Sequence, residues 1–136
     1  MSARRIEEKL YKLSVTNATV FLELPFPPSA NNLFLNRHGR IKTPEYRAWS
    51  KEAAQMLMIQ RPRIAVGPVE IYIVLEEKKG RRDLDNFAFK AILDCLVQNG
   101  IIADDHNKIV RKLSARWGDV VGALVEIRPA WPSVTA

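Results

Sequence analysis

Two short acidic runs carry the clearest capacity for chemistry in this chain. Asp83 and Asp85 flank Leu84, and Asp104 and Asp105 follow further along. In extended backbone, residues two apart point the same way with Cα atoms about 6.6 Å apart. Asp83 and Asp85 can then converge on one hard cation while Leu84 turns into the core. Two carboxylates at about 4 Å repel by about 4 kcal/mol at an effective dielectric near 20. Mg²⁺ offsets that repulsion, being a hard ion that takes carboxylate oxygens and keeps several waters. The intervening helix is expected to return the chain beside its starting strand end. That return would bring Asp104-Asp105 toward Asp83 and Asp85, supplying a third carboxylate ligand and a possible fourth. The plainer alternative makes one aspartate a helix cap and Asp104-Asp105 a surface turn.

Basic residues surround these runs. Lys78, Lys79, Arg81 and Arg82 put four cations into five residues immediately before Asp83. Arg37, Arg40 and Lys42 form a second basic stretch in a polar loop, and Lys90 adds an ammonium four residues before Asp94. Duplex DNA carries one negative charge per about 1.7 Å of axis, so a basic rim can bring a phosphodiester to the carboxylates. Lys90 is placed to reach a phosphate or a leaving oxygen, or else to snorkel at the surface. Cys95 belongs to an apolar helical stripe and reads as a packed thiol. His106 reads as an ordinary surface or core histidine beside the acidic pair.

The scaffold for these groups is small. The chain has 136 residues, with 21 Lys and Arg against 15 Asp and Glu, a formal charge of +6. That length suits one domain, expected over 16–129 with an N-terminal extension at 1–15 and a tail at 130–136. One cysteine and two histidines exclude an internal disulfide and a cysteine-cluster zinc site. No apolar run approaches the roughly 18 residues of a membrane helix, so the expectation is a cytoplasmic protein with no membrane partner. The positive charge points to a polyanion.

Alternating apolar residues predict a strand over 16–24, stopped by Pro25-Phe26-Pro27-Pro28. Thr43-Pro44 starts a helix with a hydroxyl cap and a proline whose missing N–H costs nothing there. Tyr46, Trp49, Ala53, Met56 and Gln60 fall near one side of it, with Leu57 adjoining. The apolar run over 69–75 suits a central strand covered on both faces. Asp85 or Asn86 can cap a second helix reaching about Asn99, with Gly100 as a left-handed C-cap. Strands over 108–117 and 123–127 would close the domain, and Gly118-Asp119 favours a tight turn between them. The order β, α, β, α, β, β predicts an α/β (α+β) fold: a single mixed β-sheet covered by two main helices.

In the order and spacing of these residues the sequence resembles the RusA family of Holliday-junction resolvases from about residue 21 to 129. The resemblance rests on Leu24-Pro25-Phe26-Pro27-Pro28-Ser29 with Asn31 and Asn32, on Arg82-Asp83-Leu84-Asp85-Asn86, on Lys90 and Asp94, and on Gly100 followed by Asp104-Asp105. It implies a RusA-like fold and a Mg²⁺-dependent homodimer that binds four-way junction DNA and nicks opposing strands symmetrically. It assigns catalytic carboxylates to Asp83, Asp85 and Asp105, an essential basic role to Lys90 and a DNA contact to Arg82. Asp94 would support the site from the helix. Phe87-Ala88-Phe89 makes the step from Asn86 to Lys90 one residue longer than that pattern, and each added helical residue turns the next side chain by about 100°. Two other functions fit the same residues: a noncatalytic nucleic-acid-binding accessory protein, or a metal nuclease with a different substrate.

Overall fold

The computed structural model describes residues 15–16, 18–35, 41–78, 83–84, 87 and 89–130. Within them the strands are β1 (Val15–Thr16), β2 (Val20–Leu24), β3 (Ile64–Ala65), β4 (Val69–Glu76), β5 (Val110–Gly118) and β6 (Ala123–Pro129). The helices are α1 (Pro44–Gln60) and α2 (Phe89–Gln98), with a short 3-10 turn at Ala30–Asn32.

Local signals account for the helix boundaries. The Thr43 hydroxyl accepts from the Tyr46 N–H at 3.0 Å and donates to the Asn32 carbonyl at 2.6 Å, tying the start of α1 to the preceding loop. Arg61 closes α1 in the left-handed conformation, its N–H donating to the Leu57 carbonyl. At the end of α2, Gly100 adopts φ +73°, the backbone conformation that costs glycine least. The helix begins at Phe89, later than a cap at Asp85 or Asn86 would have it.

The sheet corrects the expected single, RusA-like arrangement. Strands β1 and β3 form a separate parallel pair. The larger sheet has four strands in the order β2-β6-β4-β5 and is open, with β2 and β5 at its edges. The described residues form a mixed α/β structure with two helices, and nothing in its strand order establishes a RusA topology. The expected turn at Gly118-Asp119 does not join neighbours either. Strand β4 lies between β5 and β6, pairing parallel with β5 and antiparallel with β6. The connection therefore passes over the end of β4, where the Glu77 N–H donates to the Gly118 carbonyl and the Glu76 N–H to the Gly122 carbonyl.

Strand β4 is central, as its apolar run suggests, yet only one of its faces is sealed. Val69, Ile71, Ile73 and Leu75 are buried, while Glu70, Tyr72, Val74 and Glu76 stay half-buried. The sealed face joins Leu22, Leu24, Val125 and Ile127 to Tyr46, Trp49, Ala53 and Leu57 of α1 and to Ala91, Ile92, Cys95 and Leu96 of α2 in one apolar cluster. Each buried leucine, isoleucine or valine among them contributes about 1.5–3 kcal/mol. Gln60 does not join this cluster. Its amide grips the outer edge of β2 instead, exchanging 2.7 Å hydrogen bonds with the Glu23 N–H and carbonyl. Among the described residues no helix is long and apolar enough to cross a membrane.

Candidate nucleic-acid interface

The unit β4-α2-β5 decides where the acidic runs stand. Strands β4 and β5 are parallel, with Glu76 opposite Gly118 at the end where both finish. Leu84 and Phe87 sit at that same end: the Phe87 N–H donates to the Leu84 carbonyl, and Phe87 bridges to Ser29. Its ring packs edge-on against Phe26 at 4.9 Å and Trp117 at 5.5 Å. Leu84 packs against the core, and Asp83 before it is exposed. Helix α2 then runs back along the sheet. At its far end the Ile101 N–H donates to Leu96, and the Ile101 carbonyl accepts from Ala65, just ahead of β4. Asp104 and Asp105 emerge there, opposite the end that carries Asp83.

The expected return of the helix is thereby overturned. A helix joining two parallel strands must run antiparallel to them, so it delivers the chain to the other end of the sheet. Asp104 and Asp105 are exposed. One Asp104 oxygen accepts from the Asp105 N–H at 2.7 Å, and the other lies 3.8 Å from His106 Nε2. Among the described residues no three His, Cys, Asp or Glu side chains are grouped to hold a metal ion. The described residues thus offer no cluster for Mg²⁺, and the expectation of a magnesium-binding nuclease motif is corrected accordingly. Asp85 lies outside the described residues, as do Lys79, Arg81, Arg82, Arg37 and Arg40.

Among the described cations, Lys42, Lys78 and Lys90 stand at the Asp83 end. Lys78 is exposed, its ammonium 4.2 Å from the centroid of the Phe26 ring. Lys90, in the first turn of α2, lies 3.4 Å from Asp94 Oδ2 with its side chain 59% exposed. That same Oδ2 accepts from the Tyr46 hydroxyl at 3.3 Å. Lys42 stands over the Tyr46 ring, 4.7 Å from its centroid, and Phe34 packs edge-on against that ring at 5.8 Å. Two basic segments far apart in sequence thus meet around one phenol. Tyr46 is buried, which with the neighbouring Asp94 raises its pKa and keeps the hydroxyl a proton donor.

Sequence reasoning saw Tyr46 only as one member of an apolar stripe. Its partner lies 48 residues away, and no local pattern announces such a pairing. Other residues behave as their sequence context suggests. Trp49 is a packing anchor whose Nε1–H donates to the Pro25 carbonyl at 3.1 Å. Cys95 is buried, and that burial pushes its thiol up to about 11, against a lowering hydrogen bond from Asn99. A thiol so protonated is a poor nucleophile.

Late in the chain, Lys112 and Arg128 both approach the Tyr72 ring, at 5.2 and 4.2 Å from its centroid. Arg128 is also paired with Glu126. With Glu70 accepting from the Tyr72 hydroxyl, the half-open face of the sheet mixes both signs of charge. Acidic groups accompany the lysines of the Lys42–Lys90 end as well, among them Glu45, Glu76, Glu77, Asp83 and Asp119. No protein-family model matches the chain, and no curated protein matches it.

Proposed function

We propose that this chain acts on branched DNA, as a structure-specific endodeoxyribonuclease working on four-way junctions as a homodimer. The observation that carries the reading is the meeting of Lys42 and Lys90 around Tyr46 and Asp94, at the end of the sheet where Asp83 is exposed. Of these positions Asp83, Lys90 and Asp94 also belong to the motif that resembles the RusA family. In this reading Lys42 and Lys90 hold the phosphodiester by charge. Asp83 is the acidic group offered to the attacking water, and the Lys90 ammonium steadies charge on the leaving oxygen. Lys78 extends the basic rim, with Lys79, Arg81, Arg82, Arg37 and Arg40 as further candidate contacts. Asp85 and Asp105 remain candidate catalytic residues from the resemblance.

Cleavage of four-way DNA, linear duplex and RNA–DNA hybrid by the purified chain tests this directly. Paired symmetric nicks are expected on the four-way substrate, and Asp83→Asn should abolish them while leaving the circular dichroism unchanged. Equal processing of all three substrates would count against junction specificity, and full activity in folded Asp83→Asn would remove Asp83 from the mechanism. A second reading, noncatalytic DNA binding, is favoured by the opposite placement of the two acidic runs within one chain. Junction binding without nicking under every ionic condition would select it.

A further inference from the structure

We infer that Tyr46 is a positioning residue: through Asp94 it sets the Lys90 ammonium beside Lys42, making one two-lysine contact for a phosphodiester backbone. The inference rests on the DNA reading for its ligand, but its geometry is independent of that reading. Asp94 Oδ2 is the shared acceptor, 3.3 Å from the Tyr46 hydroxyl and 3.4 Å from Lys90 Nζ. Both contacts are long for hydrogen bonds of these kinds, so Lys90 is tethered without being locked and keeps its head in water. The Asp94 side chain is only 25% exposed. The Tyr46 hydroxyl therefore limits where this half-sheltered carboxylate can swing.

The other side of the phenol completes the arrangement. Lys42 lies over the ring face, held by a loop that returns to α1 through the Thr43 N–H on the Leu33 carbonyl and the Thr43 hydroxyl on the Asn32 carbonyl. One buried side chain thus sets a cation on its face and, through a carboxylate, another at its hydroxyl. Asp94 carries one negative charge against two ammonium groups, so the cluster keeps a net attraction for phosphate. An i,i+4 pair with lysine preceding aspartate is in the weaker order for stabilising a helix, which leaves Lys90 readily shared with an anion.

The test is a double-mutant cycle read by equilibrium binding to four-way DNA at several salt concentrations. Lys90→Gln should weaken binding and flatten the salt slope by about one unit, the loss of one phosphate contact. Tyr46→Phe removes only the hydroxyl and should weaken binding several-fold in the wild-type background, with no further loss in Lys90→Gln. An undiminished Tyr46→Phe effect in Lys90→Gln, or no effect in the wild type, would overturn the inference. A second readout is independent of DNA: Tyr46→Phe should move the Lys90 side-chain NMR signal while backbone amides away from Tyr46 and Asp94 hold their positions. An unmoved Lys90 signal would also overturn it. Absence of any DNA binding by the wild type would instead sink the functional reading, leaving the NMR experiment to decide the role of Tyr46.

Discussion

The backbone N–H of Ala65 donates to the carbonyl of Ile101 at 2.9 Å, tying the exit of α2 to the chain just ahead of β4. Asp104 and Asp105 follow that exit, whereas Asp83 belongs to the end where β4 finishes. A single copy therefore keeps Asp83 at the opposite end of the sheet from Asp104 and Asp105.

Subunit mixing turns this separation into a prediction. If hydrolysis needs both runs, they must come from different copies of a two-fold assembly. Asp83→Asn and Asp105→Asn are each expected to be inactive alone. Refolded together in equal amounts, about half of the dimers would be mixed, each with one intact combination. Nicks in one strand of the junction should then return. A mixture as inactive as its parents would show that the runs do not combine across copies.

Gly122 is predicted to tolerate no side chain. Its φ is +69°, and an added Cβ would stand 2.5 Å from the Leu24 carbonyl oxygen. Its N–H also donates to Glu76 Oε1 at 2.8 Å, within the crossing over β4. Gly122→Ala should cost about 2 kcal/mol or more, from left-handed strain plus the clash. Urea denaturation measures it, and a loss under about 0.5 kcal/mol, the usual span of surface substitutions, would contradict this account.

Gln60 should protect one particular amide. Because its side chain accepts from the Glu23 N–H, Gln60→Ala is expected to speed hydrogen exchange at Glu23. The stability loss should be about 1–2 kcal/mol, the net worth of the two exposed hydrogen bonds it makes to Glu23. Exchange at Leu22 and Leu24, whose strand pairs with β6 on its other side, should change less.

Burial of Cys95 predicts a pH dependence at the alkaline end. The thiol is raised from 9.0 to about 11 in the folded chain, so the unfolded state loses its proton first. The associated stability is fully present below pH 9.0 and is lost as pH rises through about 11. Its size is roughly 2–3 kcal/mol from the linkage relation. Cys95→Ala should remove this component, seen as a flatter unfolding free energy across that window. An identical pH profile in the variant would contradict it.

Elements set by local chemistry were legible in the sequence. Thr43-Pro44 marks the first helix, Gly100 ends the second, and the alternation at 20–24 and the apolar run at 69–75 mark strands. Their neighbours were not legible. A turn signal such as Gly118-Asp119 reports that the chain bends, and says nothing of β4 lying between the strands it connects. The acidic runs were misplaced for a related reason. A short helix suggests a short return path, whereas the parallel pairing of β4 with β5 makes the helix carry the chain to the other end. Phe89 at the start of α2 shows the same limit, since Phe87 is held by Phe26 and Trp117 from remote segments. The convergence of Lys42 and Lys90 depends on Tyr46 meeting Asp94, a tertiary contact without a periodic signature.

The pairing of β2 with β6 bears on how the molecule comes into being. Val20 stands opposite Ile127, so an early segment of the polypeptide finds its sheet partner near the far end. During translation β2 leaves the ribosome long before β6 exists, while the adjacent β4-α2-β5 unit can already assemble. Until β6 arrives, the apolar side of β2 has no strand beside it in the larger sheet. Contacts this distant along a chain slow folding and lengthen the exposure of sticky intermediates. Nascent chains truncated before β6 are the forms that chaperones should hold most firmly.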